Sequence, residues 1–240
     1  MIAHDPGFVI LSTTIAILGA FTACVMMSNL GSLSRGERRG RLLMASVSLG
    51  GSLWVMQFVG LLSLEAPLNL AYNPMLLASS AAIAFTGTTA ALLLVGGRRS
   101  AYPSRLPIAA AVFGATIAAT NYFGIAAIAG RGLSFSWFLT LVSIGVSAQV
   151  AGIVLWFLFR RRGVLLTVAG AIFLGLCLTA SHYLTVASTQ NLEQTLLTVP
   201  AYENGISERY LAWSATIMMY LICSICLCIF VISQFRDEAD

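Results

Sequence analysis

Hydropathy along the chain rises and falls seven times. Apolar runs lie near residues 8–30, 42–64, 75–96, 106–129, 134–159, 164–187 and 211–233, separated by short polar or arginine-rich connections. Each has about the 20 residues a helix needs to cross a bilayer. Helix is the conformation they must adopt, because hydrocarbon offers backbone N–H and C=O groups no partner outside their own segment. In the second, fourth and sixth runs the apolar pattern breaks at a similar place, where a polar residue precedes an aromatic one: Gln57-Phe58, Asn121-Tyr122 and His182-Tyr183. No other imidazole, and no carboxyl or guanidinium group, falls inside an apolar run.

The breaks are 64 and 61 residues apart, the length of one helix out and one helix back. They fall five to eight residues before the ends of three runs that cross in the same direction. That is a shared depth of roughly 8–12 Å at 1.5 Å per residue. A repeated two-helix unit has this signature. The predicted fold is therefore an all-α integral membrane protein, a single domain over 1–240. It is a seven-transmembrane helix bundle of three two-helix repeats plus a last helix placed to carry a signal across. Gln57, Asn121 and His182 would form one polar layer inside it. Neighbouring helix positions point in different directions, so one member of each polar–aromatic pair faces the centre. Gly60, Gly124 and Ala187, close behind the three pairs, are small enough to let helices approach.

Composition agrees with a membrane domain. Of 240 residues, 58% are hydrophobic and 9% charged, with mean hydropathy +0.89; soluble domains carry about 25% charged residues. The net charge of +4 comes from arginines, 11 of the 13 on one side of the predicted topology. These are Arg35, Arg38, Arg39, Arg41, Arg98, Arg99, Arg105, Arg160 to Arg162 and Arg236, against Arg131 and Arg209 on the other. The positive-inside rule then puts the N-terminus outside and the C-terminus in the cytoplasm. Such clusters are topology signals, so the expected partner is the bilayer and not nucleic acid. Met1 to Pro6 has neither a basic stretch nor a cleavage site and reads as a retained start. Trp54, Trp137, Trp156 and Trp213 lie near predicted span ends, as interfacial anchors do.

Several chemistries fail on inventory. A retinal Schiff base needs an intramembrane lysine, and the chain has none; a bis-imidazole haem needs paired histidines, and only His4 and His182 exist. The acidic residues all fall in connections or at the ends, which argues against proton-coupled transport. No nucleophile–base pair is visible, so no enzymatic activity is expected. Cys24, Cys177, Cys223, Cys226 and Cys228 all fall inside apolar runs, where cysteine packs as a small apolar residue. Gln57, Asn121 and His182 can be read as helix-register hydrogen bonds or as a ligand site.

The three clusters, with His4-Asp5-Pro6, Trp54-x-Met56-Gln57-Phe58-x-Gly60 and Gly124-Ile125-Ala126-Ala127, resemble the MHYT domain family, a bacterial seven-span sensory module. The resemblance covers the whole chain. It implies a ligand site built from Met56, Gln57, Asn121, Tyr122, His182 and Tyr183, near the outer face. The family is proposed to bind copper through motif Met and His side chains and to sense a diatomic gas. Here the first motif has Gln57 at the His position, the second has Thr120 and Asn121 in place of Met and His, and the third has Ser181 and Leu184 in place of Met and Thr. Amides are poor ligands for soft copper. What the resemblance leaves for a metal is His182 with Met56, helped by His4.

Two readings follow. The first is a sensory input module whose outer layer binds a small ligand and whose seventh helix reports to a cytoplasmic signalling domain or partner, for example one making or degrading cyclic diguanylate. The chain is then either a stand-alone membrane domain or part of a longer protein. The second is a metal-free binding or carrier protein for a lipid or apolar small molecule, with Leu192, Leu196, Leu197 and Val199 in the loop Ser188 to Arg209 as a lid. Gly- and Ala-rich faces suit a homodimer.

Overall fold

The computed structural model describes residues 5–31, 33–64, 71–96, 102–129, 133–160, 163–190, 192 and 206–237. It contains seven helices long and apolar enough to cross a membrane. They are α1 (Pro6–Met26), α2 (Arg35–Leu62), α3 (Pro74–Gly96), α4 (Tyr102–Ala129), α5 (Trp137–Leu158), α6 (Val164–Ser188) and α7 (Glu208–Asp237). The protein is an all-α, multi-pass membrane protein.

Helix starts are set by capping more than by hydropathy. Asp5 caps α1 by accepting from the Gly7 N–H at 2.7 Å, with Pro6 in the first turn. Asn73 caps α3, its Oδ1 accepting from the N–H groups of Met75 and Leu76. Ser34 and Glu37 form a reciprocal capping box that starts α2 at Arg35, well before its apolar run begins. The predicted run 8–30 overshoots α1, which ends at Met26 and leaves through a turn with Asn29 in the left-handed region, φ 55°.

Helices α1 to α6 form a closed ring: each packs on the next, α6 returns to α1, and α2, α4 and α6 meet in the middle. Helix α7 lies outside the ring against α1 and α2. Burial follows this order, 78% along the apolar window of α2 against 28% for α7.

The repeat is visible in individual atoms at two depths. At one end, the residue capping each outer helix donates its backbone N–H to a carbonyl six residues past the polar position: Asp5 to Ser63 at 2.8 Å, Asn73 to Ala127 at 2.9 Å, and Ser136 to Ser188 at 2.9 Å. Deeper in, seven residues before the polar position, stand Gly50, Gly114 and Gly175. A Cβ there would lie 2.9 Å from Ala84 O, 2.6 Å from Ala148 Cα and 2.7 Å from Ile17 N respectively, so backbones touch at all three seams between repeats. Two short antiparallel pairings fasten the connections at the layer end: β1 (Ala71–Tyr72) with β4 (Ile206–Ser207), and β2 (Ser134–Phe135) with β3 (Thr189–Gln190).

Two apolar clusters bracket the polar layer. The larger includes Ile15, Leu49, Met56, Phe113 and Leu174; the smaller, at the layer end, includes Phe58, Leu77, Ile125, Leu192 and Leu211. Three expectations change. Trp54 is not an interfacial anchor: half-buried beside the layer, it donates from Nε1 to Ser80 Oγ at 3.0 Å. Ala187 is exposed and lets no helix approach. Arg41, counted among loop arginines, is buried. Leu192 is buried as a lid residue would be, whereas Leu196, Leu197, Val199 and His4 lie outside the described residues.

Candidate functional site

Helices α2, α4 and α6 turn Gln57, Asn121 and His182 toward the middle of the ring, where all three are fully buried. His182 Nδ1 lies 3.4 Å from Asn121 Oδ1. With the amide oxygen accepting, Nδ1 carries the imidazole proton. The other ring edge rests on α2 at Gly60, where a Cβ would stand 2.8 Å from Nε2. The Gln57 carboxamide in turn rests on α4 at Gly124, where a Cβ would stand 2.8 Å from both Cδ and Oε1. Two of the three polar side chains thus lean on a glycine three positions past the next polar residue: His182 on Gly60 and Gln57 on Gly124. The sense of rotation is α6 onto α2 and α2 onto α4. At the third corner the residue three past His182 is Thr185, buried and donating to Ser181 O at 3.0 Å.

The aromatic neighbours follow the same rotation but act as ties. Tyr122 Oη shares hydrogen bonds with Ser143 Oγ at 2.7 Å and Ser188 Oγ at 3.1 Å, and Tyr183 Oη with Ser63 Oγ at 3.4 Å. Ser63 and Ser188 occupy equivalent positions, six past Gln57 and His182. The third tie is apolar at both ends: Phe58 has no hydroxyl, the matching position is Ala127, and both join the smaller apolar cluster. Ser147 on α5 meets Ser181 at 2.9 Å. The serines at 63, 143, 147 and 188 are neighbours of the layer that the motif pattern passed over, and Ser181 entered it only as a replaced Met. Their signal is weak, since lone serines in apolar helices usually bond their own preceding turn.

Several buried atoms of the layer have no hydrogen-bond partner among the described residues: both carboxamide atoms of Gln57, Asn121 Nδ2 and Thr120 Oγ1. Each such group costs about 1–3 kcal/mol if nothing meets it. Buried polar atoms are normally satisfied by protein or by a small molecule lodged between them. The arrangement offers two amide donors and an amide acceptor around an imidazole.

It does not fit copper. One imidazole stands among carboxamides, Met56 is buried in the main apolar cluster, and no group of three or more His, Cys, Asp or Glu occurs among the described residues. None of the five cysteines is in a disulfide, and Cys24, Cys223 and Cys226 are buried in helix packing.

A closed ring of three helical hairpins with a polar layer and an external seventh helix defines a repeat-built bacterial membrane module. Residues 50–106 match the family model MHYT, "Bacterial signalling protein N terminal repeat". That stretch begins at Gly50, the first seam glycine, and covers most of one period of the repeat. The chain is also similar to the bifunctional diguanylate cyclase/cyclic di-GMP phosphodiesterase MucR of Pseudomonas aeruginosa, 29% identical over 194 residues. The alignment takes in 78% of this chain, which spans only 28% of the length of that relative. No solved structure matches. The MHYT resemblance read from the polar clusters is thereby borne out, and the chain carries a sensory signalling module of the bacterial inner membrane.

Proposed function

We propose that the chain senses a small hydrogen-bonding molecule held in the carboxamide layer, and that the signal leaves through α7. The observation carrying this reading is the set of unpartnered buried groups on Gln57, Asn121 and Thr120. Amide donors beside an amide acceptor suit a neutral molecule bearing a carbonyl or hydroxyl better than a soft metal or a weakly accepting diatomic gas. Binding shifts the bundle only if the molecule prefers one packing of α2, α4 and α6 over another. The leaning of His182 on α2 and of Gln57 on α4 provides that dependence. The arginine-bearing end of α7 is cytoplasmic by the positive-inside rule. By analogy with the relative's name, the output is an enzyme of cyclic di-GMP metabolism, joined to the chain or docked on it.

Native mass spectrometry of protein released from nanodiscs tests the site. A small molecule should accompany wild type and be lost from Gln57→Leu and Asn121→Leu, and cellular cyclic di-GMP should differ between wild type and these variants. Identical spectra and identical cyclic di-GMP would sink the reading. The apolar cluster of Phe58, Leu77, Leu192 and Leu211 beside the layer favours a second reading, a lipid or apolar carrier. A retained lipid indifferent to Gln57→Leu would select it.

A further inference from the structure

A buried arginine at the opposite end of α2 joins the ring to its external helix. Arg41 is 6% exposed. Its Nη1 donates to Ser28 O at 3.3 Å, in the turn that ends α1, and its Nη2 donates to Ser233 Oγ on α7 at 3.3 Å. The guanidinium also lies 4.7 Å from the ring centroid of Phe230, one turn earlier on α7. The Ser233 hydroxyl gives its proton to Phe230 O at 2.7 Å, which leaves its oxygen free to accept from the arginine. A positive group at the carbonyl end of α1 also faces the negative pole of that helix. One planar side chain therefore grips α1 and α7 from α2.

We infer that Arg41 is the positioning residue through which a movement of α2 reaches α7; this rests on the sensory reading and names its means of output. Gln57 and Arg41 lie on the same helix, 16 residues apart, about 24 Å along its axis. A packed helix transmits a shift or rotation along its length. Because a guanidinium fork is rigid and directional, displacing α2 at its arginine end must either carry Phe230 and Ser233 along or break the bracket. Two neighbouring arginines among the described residues are engaged elsewhere. Arg38 donates from Nε to Gly96 O at 2.6 Å, toward α3, and Arg160 lies over Trp156 of its own hairpin.

Hydrogen–deuterium exchange by mass spectrometry on the full chain in nanodiscs tests this without a ligand. Arg41→Gln should speed exchange over 229–237 and 26–31 roughly tenfold while leaving 54–63 at the wild-type rate. Ser233→Ala combined with Phe230→Leu, which leaves Arg41 in place, should reproduce the effect over 229–237 alone. Coupling itself is read by a wedge in the layer. Gly60→Ala, which pushes on His182, should alter exchange over 229–237 when Arg41 is present and not in the Gly60→Ala/Arg41→Gln double variant. Equal change with and without Arg41, no change in either, or a uniform rise over all segments in Arg41→Gln would overturn the inference. None of these outcomes bears on whether a molecule occupies the layer, which ligand retention decides separately.

Discussion

Two glycines on α4, ten residues apart, should respond oppositely to the same added methyl group. At Gly114 a Cβ would stand 2.6 Å from Ala148 Cα and 3.1 Å from Ala148 N, both backbone atoms of α5. Ordinary carbon contacts fall at about 3.5–4.0 Å, so α4 and α5 must part by roughly 1 Å. Overpacking of this kind costs about 1–3 kcal/mol, and more when a helix must move. At Gly124 the obstacle is the end of the Gln57 side chain, at 2.8 Å, which can swing away. That relocation costs about 0.5–1.5 kcal/mol for a displaced rotamer. Replacing helical glycine by alanine returns about 1 kcal/mol in either case, so the difference between the variants isolates the steric term. Gly124→Ala should therefore melt within about 3 °C of wild type, and Gly114→Ala several degrees lower, at about 2–4 °C per kcal/mol. The assay is thermal unfolding of nanodisc-reconstituted protein followed by tryptophan fluorescence, paired with native mass spectrometry. Gly124→Ala should keep its fold and lose any molecule retained by the layer. Equal melting temperatures for the two variants would refute the distinction between backbone and side-chain obstacles, and with it the close seam at Gly114.

The missing third tie gives a double-variant prediction: Phe58→Tyr alone should destabilise by about 1–3 kcal/mol by burying an unmet hydroxyl, and Phe58→Tyr with Ala127→Ser should recover most of the loss in thermal melts. Tyr122→Phe, which removes the hydrogen bonds to Ser143 at 2.7 Å and Ser188 at 3.1 Å, should lower stability by about 1–2 kcal/mol in thermal melts. Metal analysis should find no stoichiometric copper in wild type or in His182→Ala; copper present in the first and lost in the second would contradict the donor-set argument. A fluorescent protein fused after residue 240 should fluoresce and alkaline phosphatase there should stay inactive; the reverse would invert the topology assigned from the arginines.

The seven helices and the convergence of Gln57, Asn121 and His182 were legible because membrane crossing imposes length and because a repeat puts equivalent residues at equal depth. The seam glycines were passed over although they share the 64- and 61-residue spacing of the polar residues. A glycine in an apolar helix has many uses, and only the facing backbone reveals which one applies. Arg41 was misplaced for a related reason: charge at the edge of an apolar run usually marks a solvated connection, and the capping box that draws it into α2 lies seven residues upstream. Ala187 was chosen as the third small residue because size was the sole criterion. Ala187 is exposed whereas Thr185, three past His182, is buried, and helix geometry alone could not distinguish them without knowing which neighbour each face meets.

The order in which the helices are made meets the order in which they pack at one place. The ring cannot close until α6 reaches α1, so during synthesis Gln57 and Asn121 wait without their full surroundings while half the chain is still to come. The final helix then returns to the first hairpin. A chain whose opening hairpin is damaged would present no seat for α7, so that under the proposed sensory function only a completely assembled bundle could signal.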